Sequence, residues 1–462
     1  MTLRRTLRLA AIPLAGLLLL AVPPAAGSNG MNMIGFGAES IAMGGADLAI
    51  SGSASAMNIN PAGIGRAPRP ELAFALGVMS PALEHEDRLG NRAEDVLDRY
   101  PMPFVGYVHP LGDVTLGVGL FVQGGMGAEY RGLATPFSAL AGSGRMPPDL
   151  FAGSAVPATD RTLTNLAHAK LTPTVAWRVR PDWTVGASLQ ISYVTADMEL
   201  FPDTSVRADV DGSGAAGDGP GELFFGLDAE GLSDVGLGLR LGFQHESGRL
   251  SVGGSYATET ELDLGGGSMT MNLAAMGLGK VPYDCRMRGL TWPRQAGLGV
   301  AYQVRSGILA VADVDWVNWS SAISTVEIEL ENPGVAQAPG ERRIALPMGW
   351  KDQWVAALGV ELRPGPGWAL RLGYNHGATP VPDALLRPLF PAIAERHATG
   401  GAGLSRGPWT LDFALEVALD SRKTNPSEDP AVNPFGPGSQ ESLSQLVAHF
   451  MVRRSLAGRR SG

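Results

Sequence analysis

The chain has 462 residues, 45% hydrophobic and 18% charged, with 62 glycines and 34 prolines, too apolar for a disordered chain and too rich in Gly and Pro for a helix bundle. Its net charge of -9, with no basic stripe, gives no case for nucleic-acid binding. A single cysteine, Cys285, excludes an internal disulfide and a metal centre built on cysteines.

The N-terminus reads as an address. Arg4, Arg5 and Arg8 precede an apolar run at 9–22, and small residues follow at 25–27. This is the pattern of a secretory signal peptide over 1–27, cleaved after Gly27 or one residue earlier. Beyond it, no apolar run reaches the ~20 residues of a spanning helix.

Residues 28–69 are rich in Gly, Ala, Ser, Met and Asn and show no clear period. Such a stretch can run with its backbone close to neighbours. It reads either as a flexible tail or as a plug inside a larger structure. It ends near Asn60, Pro61 and Ala62, where proline fixes its own φ and holds Asn60 extended.

Residues 70–462 form one β-patterned region: from Gly77 onward short turns alternate with long loops, and the apolar residues between them recur at every second position. Strands are predicted at 71–80, 102–109, 113–124, 165–180, 182–199, 233–246, 249–263, 293–304, 307–330, 351–363, 367–376, 396–405, 408–420 and 443–455. Leu411, Phe413, Leu415, Val417 and Leu419 oppose Asp412, Ala414, Glu416, Ala418 and Asp420. Period two makes a strand. Several segments reach the ~9–11 residues that cross a bilayer at a tilt. Short breakers alternate with long connections at 81–100, 125–164, 197–232, 264–292, 331–350, 377–395 and 421–442. That rhythm predicts an all-β fold, a transmembrane antiparallel β-barrel of about fourteen strands with the N-terminal plug in its lumen. Tyr100, Tyr107, Trp177, Trp183, Trp316, Trp319, Trp350, Trp354, Trp368, Tyr374 and Trp409 near strand ends are expected to form the interfacial girdles.

Candidate functional residues follow the same order. The third strand holds Gly117, Gly119, Gly124, Gly125 and Gly127; glycine inside a strand marks a bulge or bend, and Gly124 with Gly125 is the expected kink. The loops 197–232 and 264–292 carry Phe201, Phe224, Phe225, Met269, Met271 and Met276, an apolar set that either captures a ligand or packs the loops together. By strand parity Arg240 and Arg371 project inward. Each could face a ligand carboxylate or the lumen acids Asp313, Asp315, Glu361, Asp412 and Glu416. None of the seven histidines falls at metal-ligand spacing, and no nucleophile elbow is present. No catalytic residue, metal or cofactor is therefore assigned.

Several segments are familiar in combination. Asn29-Gly30 through Gly44-Gly45-Ala46, Asn60-Pro61-Ala62-Gly63, Pro293-Arg294-Gln295-Ala296-Gly297-Leu298-Gly299, Asp313-Val314-Asp315-Trp316, Trp350-Lys351-Asp352-Gln353-Trp354 and Leu370-Arg371-Leu372-Gly373-Tyr374 stand in this order. Together the chain resembles the FadL/OmpP1/TodX family of outer-membrane transporters. The resemblance implies a monomeric fourteen-stranded barrel closed by an N-terminal hatch. It implies outer-membrane lipid and lipopolysaccharide as surroundings, and passive uptake of hydrophobic small molecules, either long-chain fatty acids or aromatic hydrocarbons. It also implies sideways release beside the third-strand kink, with Asn60-Pro61-Ala62 as the hatch motif. The tail 455–462 after the last strand and the Gly/Pro-rich loop 125–164 depart from the expected pattern. A non-transport barrel of the same fold, serving assembly or secretion, is the competing expectation.

Overall fold

The computed structural model describes residues 29–96, 99–142, 154–207, 223–429 and 432–457. The signal segment 1–27 lies outside the described residues. The strands in chain order are β1 (Glu71–Glu86), β2 (Arg92–Glu94), β3 (Tyr100–Leu111), β4 (Val114–Leu133), β5 (Asp160–Arg180), β6 (Trp183–Arg207) and β7 (Leu223–Ser247). They continue with β8 (Leu250–Ala257), β9 (Thr260–Asn272), β10 (Lys280–Trp292), β11 (Gln295–Arg305), β12 (Ile308–Val317), β13 (Thr325–Glu331) and β14 (Arg342–Pro347). The last are β15 (Gln353–Leu362), β16 (Trp368–Gly377), β17 (Arg396–Arg406), β18 (Trp409–Asn425) and β19 (Ser439–Ser455).

Antiparallel pairing closes these strands into a ring. It runs β1, β3, β4, β5, β6, β7, β8, β11, β12, β15, β16, β17, β18, β19 and returns from β19 to β1. The remaining longer strands rise above one rim. The outer part of β7 pairs with β9, β9 with β10, β10 with β13, and β13 with β14. Closure removes sheet edges, which cannot be tolerated in hydrocarbon.

The wall is inside out relative to a soluble protein. Leu298 is 62% exposed, Trp354 66% and Leu372 68% on the outer face, while Asp412, Glu361 and Arg371 on the inner face are 4%, 3% and 5% exposed. Burying charge while exposing large apolar residues would be costly in water and is the arrangement lipid requires.

Three expectations need correction. The segment 249–263 divides into β8 and β9, and 307–330 into β12 and β13, because the barrel wall ends there and the chain turns into the rim sheet. The connection 264–292 is largely strand, as β9 and β10. Val252, Tyr256, Leu262 and Leu264 keep one phase across the first break, and Val314, Val326, Ile328 and Leu330 keep it across the polar stretch of the second, so periodicity alone cannot mark where the wall stops. Finally, Trp177, Trp183, Trp354, Trp368 and Trp409 are exposed, as a girdle requires, but Tyr100, Trp319 and Trp350 are buried inside. Aromatic content near a strand end does not tell an inward side chain from an outward one.

Residues 29–69 fill the lumen and are almost continuously buried. They include one helical turn, α1 (Ala38–Ile41), and two 3-10 segments, Ala54–Asn58 and Pro61–Arg66. Wall side chains hold this plug from around the ring. Arg178 donates to Gly65 O (2.8 Å), Ser188 to Met57 O (2.8 Å), Gln244 to Ser51 O (3.0 Å) and Asn375 to Gly44 O (2.9 Å). The amides of Asp47 and Leu48 both donate to Asp313 Oδ2, at 2.7 and 2.8 Å.

Candidate functional site

The site begins at the outer rim with an apolar cavity of about 680 Å³, within the size range of small-molecule pockets. Its lining includes Leu200, Phe201, Phe224, Phe225 and Leu227 from β6 and β7, Met271 from β9, and Ile344 and Leu346 from β14. Leu386, Leu389 and Phe435 from the connecting loops complete it. Phe201 is the buried anchor. Its ring lies 5.9 Å from Phe224 and 5.6 Å from Phe435. It has φ 46°, a conformation that a bulky residue keeps only where its surroundings impose it. The β6–β7 register shifts between Leu200 and Ser205 at this point.

Of the loop residues singled out in the sequence, Phe201, Phe224, Phe225 and Met271 come together in this pocket. Met269 is fully buried in the adjoining core, and Met276 is exposed on the turn beyond β9. The sequence reading missed Leu386, Leu389 and Phe435, because nothing in their short loop segments shows that they fold over the barrel mouth.

The pocket is one end of a contiguous apolar cluster. The same cluster of buried side chains includes Phe201, Leu227 and Met271 at the pocket and Met31, Met126 and Leu166 deep in the barrel. Trp292, Trp319 and Trp350 lie within it, with ring centroids 6.2 and 5.0 Å apart in sequence.

At its inner end the wall is irregular. The β4–β5 register slips between Val122 and Gly124. Gly124 has φ 147° and Gly125 φ 158°. A Cβ at Gly124 would lie 2.1 Å from Met31 O, and one at Gly125 2.0 Å from Leu166 O. The plug fills the gap left by this bulge: Gly125 N donates to Met31 O at 3.2 Å, and Asn32 bridges Gly124. Asn32 is a junction. Its Oδ1 accepts from Trp292 Nε1 (2.8 Å) and from Gln123 Nε2 (3.1 Å). The tip of the plug, the bulge and the outer aromatic cluster therefore meet at one residue that no sequence motif marks.

Lower in the lumen, Asn60 is fully buried. Its amide nitrogen donates to Leu48 O (2.7 Å) and to Phe243 O of β7 (2.9 Å), and its Oδ1 accepts from Ala62 N (3.2 Å). Pro61 starts the following 3-10 segment. The barrel makes room with glycine: a Cβ at Gly242 would lie 2.0 Å from Asn60 Oδ1, and one at Gly186 2.4 Å from the Pro61 carbonyl carbon.

Both expected inward arginines are indeed inside, and both are engaged. Arg240 donates to Ile59 O (3.1 Å), Ser255 Oγ (3.1 Å) and Gln295 Oε1 (3.0 Å). Arg371 binds Glu361 (2.7 Å), Asp412 (2.8 Å) and Glu39 of α1 (3.2 Å). Arg371 is thus paired with lumen acids. Arg453 joins from β19, reaching Glu39 and Asp412 at 3.0 Å each. Burial would raise the Glu39 carboxyl, but Arg453 and Arg371 outweigh it and hold Glu39 below the ordinary 4.5.

The comparisons with known proteins agree with this geometry. A model of the family described as "Outer membrane protein transport protein (OMPP1/FadL/TodX)" matches residues 151–425. No curated protein sequence matches the chain. Among solved structures, the Ralstonia pickettii toluene transporter TbuX is similar at 23% identity and TM-score 0.69, over 92% of this chain and 99% of that one. The P. putida toluene transporter TodX is similar at 20% identity and TM-score 0.72, over 92% and 100%. A Pseudomonas aeruginosa FadL homologue is similar at 15% identity and TM-score 0.71, over 93% and 100%. At such identities these likenesses support the fold. With more than half of its length matched by the family model, this chain belongs to the OMPP1/FadL/TodX family of outer-membrane transport proteins.

Proposed function

We propose that this barrel takes up hydrophobic small molecules, long-chain fatty acids or aromatic hydrocarbons, passively across the outer membrane and releases them through its wall. The observation that carries this reading is the contiguous apolar cluster from the rim pocket to the bulge at Gly124 and Gly125. A hydrophobic solute leaves water at Phe201, Phe224, Phe225 and Met271. It moves inward only as side chains and the plug tip yield, because the route is packed. At the bulge the wall hydrogen bond of Gly125 is supplied by the plug. Withdrawal of Met31 and Asn32 would leave that stretch of wall open towards lipid, where an apolar solute partitions favourably. Asn60-Pro61-Ala62, Arg240 and Arg371 serve as the fixed end of the plug, around which the tip moves. Family membership supports transport and gives no support to an enzyme.

The test is uptake by cells with and without the protein, using a panel of long-chain fatty acids and alkylbenzenes at equal cell density. Slower uptake of at least one class on deletion, restored by the full chain, supports the reading. Unchanged uptake across the panel, with a failure of surface-protein export, would replace it with the accessory role.

A further inference from the structure

The six tight turns of the ring all lie at one end of the cylinder, together with the start of β1 and the end of β19. Short turns mark the periplasmic rim. Five of the six carry an exposed arginine at the turn or its edge: Arg180, Arg249, Arg305, Arg363 and Arg406. The β3–β4 turn carries Asp113 instead. Arg69 before β1 and Arg454 near the end of β19, both exposed, complete the circle. The chain as a whole is acidic, at -9, so this rim runs against its average.

The nearby acids are mostly engaged. Glu246 binds Arg66 of the plug (2.6 Å), Asp182 faces His245 Nδ1 (3.5 Å), and Glu361, inside the wall, takes Arg363 (2.7 Å). Arg69, Arg180, Arg249, Arg305 and Arg406 form no salt bridge among the described residues. They sit where the apolar wall ends. Trp183 lies just past Arg180, Tyr302 just before Arg305, Trp368 just past Arg363 and Trp409 just past Arg406, all with exposed rings. Arg454 lies over the Trp409 ring at 5.0 Å. Interfacial aromatics mark the headgroup level, so arginines just beyond them reach the phosphates. A soluble partner would meet a patch on one side, whereas these cations surround the barrel. Each is an arginine, whose planar fork matches two oxygens of a phosphate.

We propose that the periplasmic rim binds the phosphate headgroups of anionic phospholipids in the inner leaflet of the outer membrane, through Arg69, Arg180, Arg249, Arg305, Arg406 and Arg454, and so gathers an anionic annulus around the barrel. A zwitterionic headgroup carries its own cation and gains less from the same arginines. The proposal rests on the barrel and on which rim bears the short turns, and is independent of the transport reading.

Tryptophan quenching by brominated lipid tests this. The purified full-length barrel is reconstituted in mixtures of phosphatidylcholine and phosphatidylglycerol, with bromine on the acyl chains of one or the other. The wild type is expected to favour phosphatidylglycerol about fivefold or more, the value of one arginine beside an anionic surface. The preference should shrink as salt screens it. Arg180→Gln, Arg249→Gln, Arg305→Gln and Arg406→Gln combined should remove it. Equal quenching by both lipids in the wild type, a preference that salt leaves unchanged, or one that survives the fourfold variant overturns the proposal. If the fourfold variant does not assemble, the four single variants decide: a lower preference in each supports the annulus, and four unchanged preferences overturn it. Binding of polyglutamate by the detergent-solubilised barrel, without any lipid preference, would assign the arginines to an acidic protein and likewise overturn it. Cargo uptake is not read in this experiment, so its failure leaves the transport reading standing.

Discussion

At the scale of single residues, the plug is held by a few side chains with several bonds each. Asn60→Ala removes two hydrogen bonds to carbonyls and one from Ala62 N, leaving buried groups unpaired at a cost of order 2 kcal/mol. The barrel should still assemble, because the wall pairing is untouched. In planar bilayers the variant should show open-channel events that the wild type lacks; a silent variant would mean that Asn60 does not fix the plug. Glu39 works by charge. Its folded value lies below the ordinary 4.5, so its contribution to plug docking is present at neutral pH. That contribution is lost as pH falls through the lowered value. Glu39→Gln should therefore make residues 29–69 more accessible to thiol labelling at introduced cysteines at pH 7, matching the wild type in acid. Equal labelling of the two proteins at pH 7 would set this latch aside.

At the scale of elements, β4 and β5 form the part of the wall that depends on the plug. Replacing Gly124 and Gly125 with valine puts side chains where Met31 O and Leu166 O now stand. The strands should then regularise or the tip should be pushed off, and cargo uptake should fall about tenfold or more with surface levels unchanged, a barrier change of ~1.4 kcal/mol. Normal uptake would remove the bulge from the mechanism. The bulge falls at the glycine pair that the sequence singled out, although Gly253-Gly254 and Gly400-Gly401 pair in regular register, so a glycine pair alone does not mark a bulge. Every ring strand was legible, because period two survives any tertiary context. The rim sheet was not: β9, β10, β13 and β14 obey the same alternation as the wall and differ only in what they pack against. Asn32 and Trp292 were also invisible as site residues. Each gains its role from neighbours distant in sequence, such as Asn32 from Trp292, 260 positions away.

At the scale of the molecule, the barrel is a closed cylinder with a packed apolar cluster, and in the function proposed above its plug is fixed low in the lumen and moves at its tip. The fixed end rests on charged and polar bonds spread over β5, β6, β7, β12, β16 and β19. At the bulge the plug is held by Met31 O on Gly125 N, by Asn32 on Gln123 and Trp292, and by Asn58 on Gln123. The proposed movement therefore lies where the wall is irregular. It is tested most directly by Asn32→Cys combined with Gln123→Cys, whose native side chains are bonded at 3.1 Å. Uptake is measured in the same cells before and after reduction of the staple. The account predicts that cargo uptake is abolished when the pair is oxidised and returns on reduction; full uptake with the staple closed would contradict it.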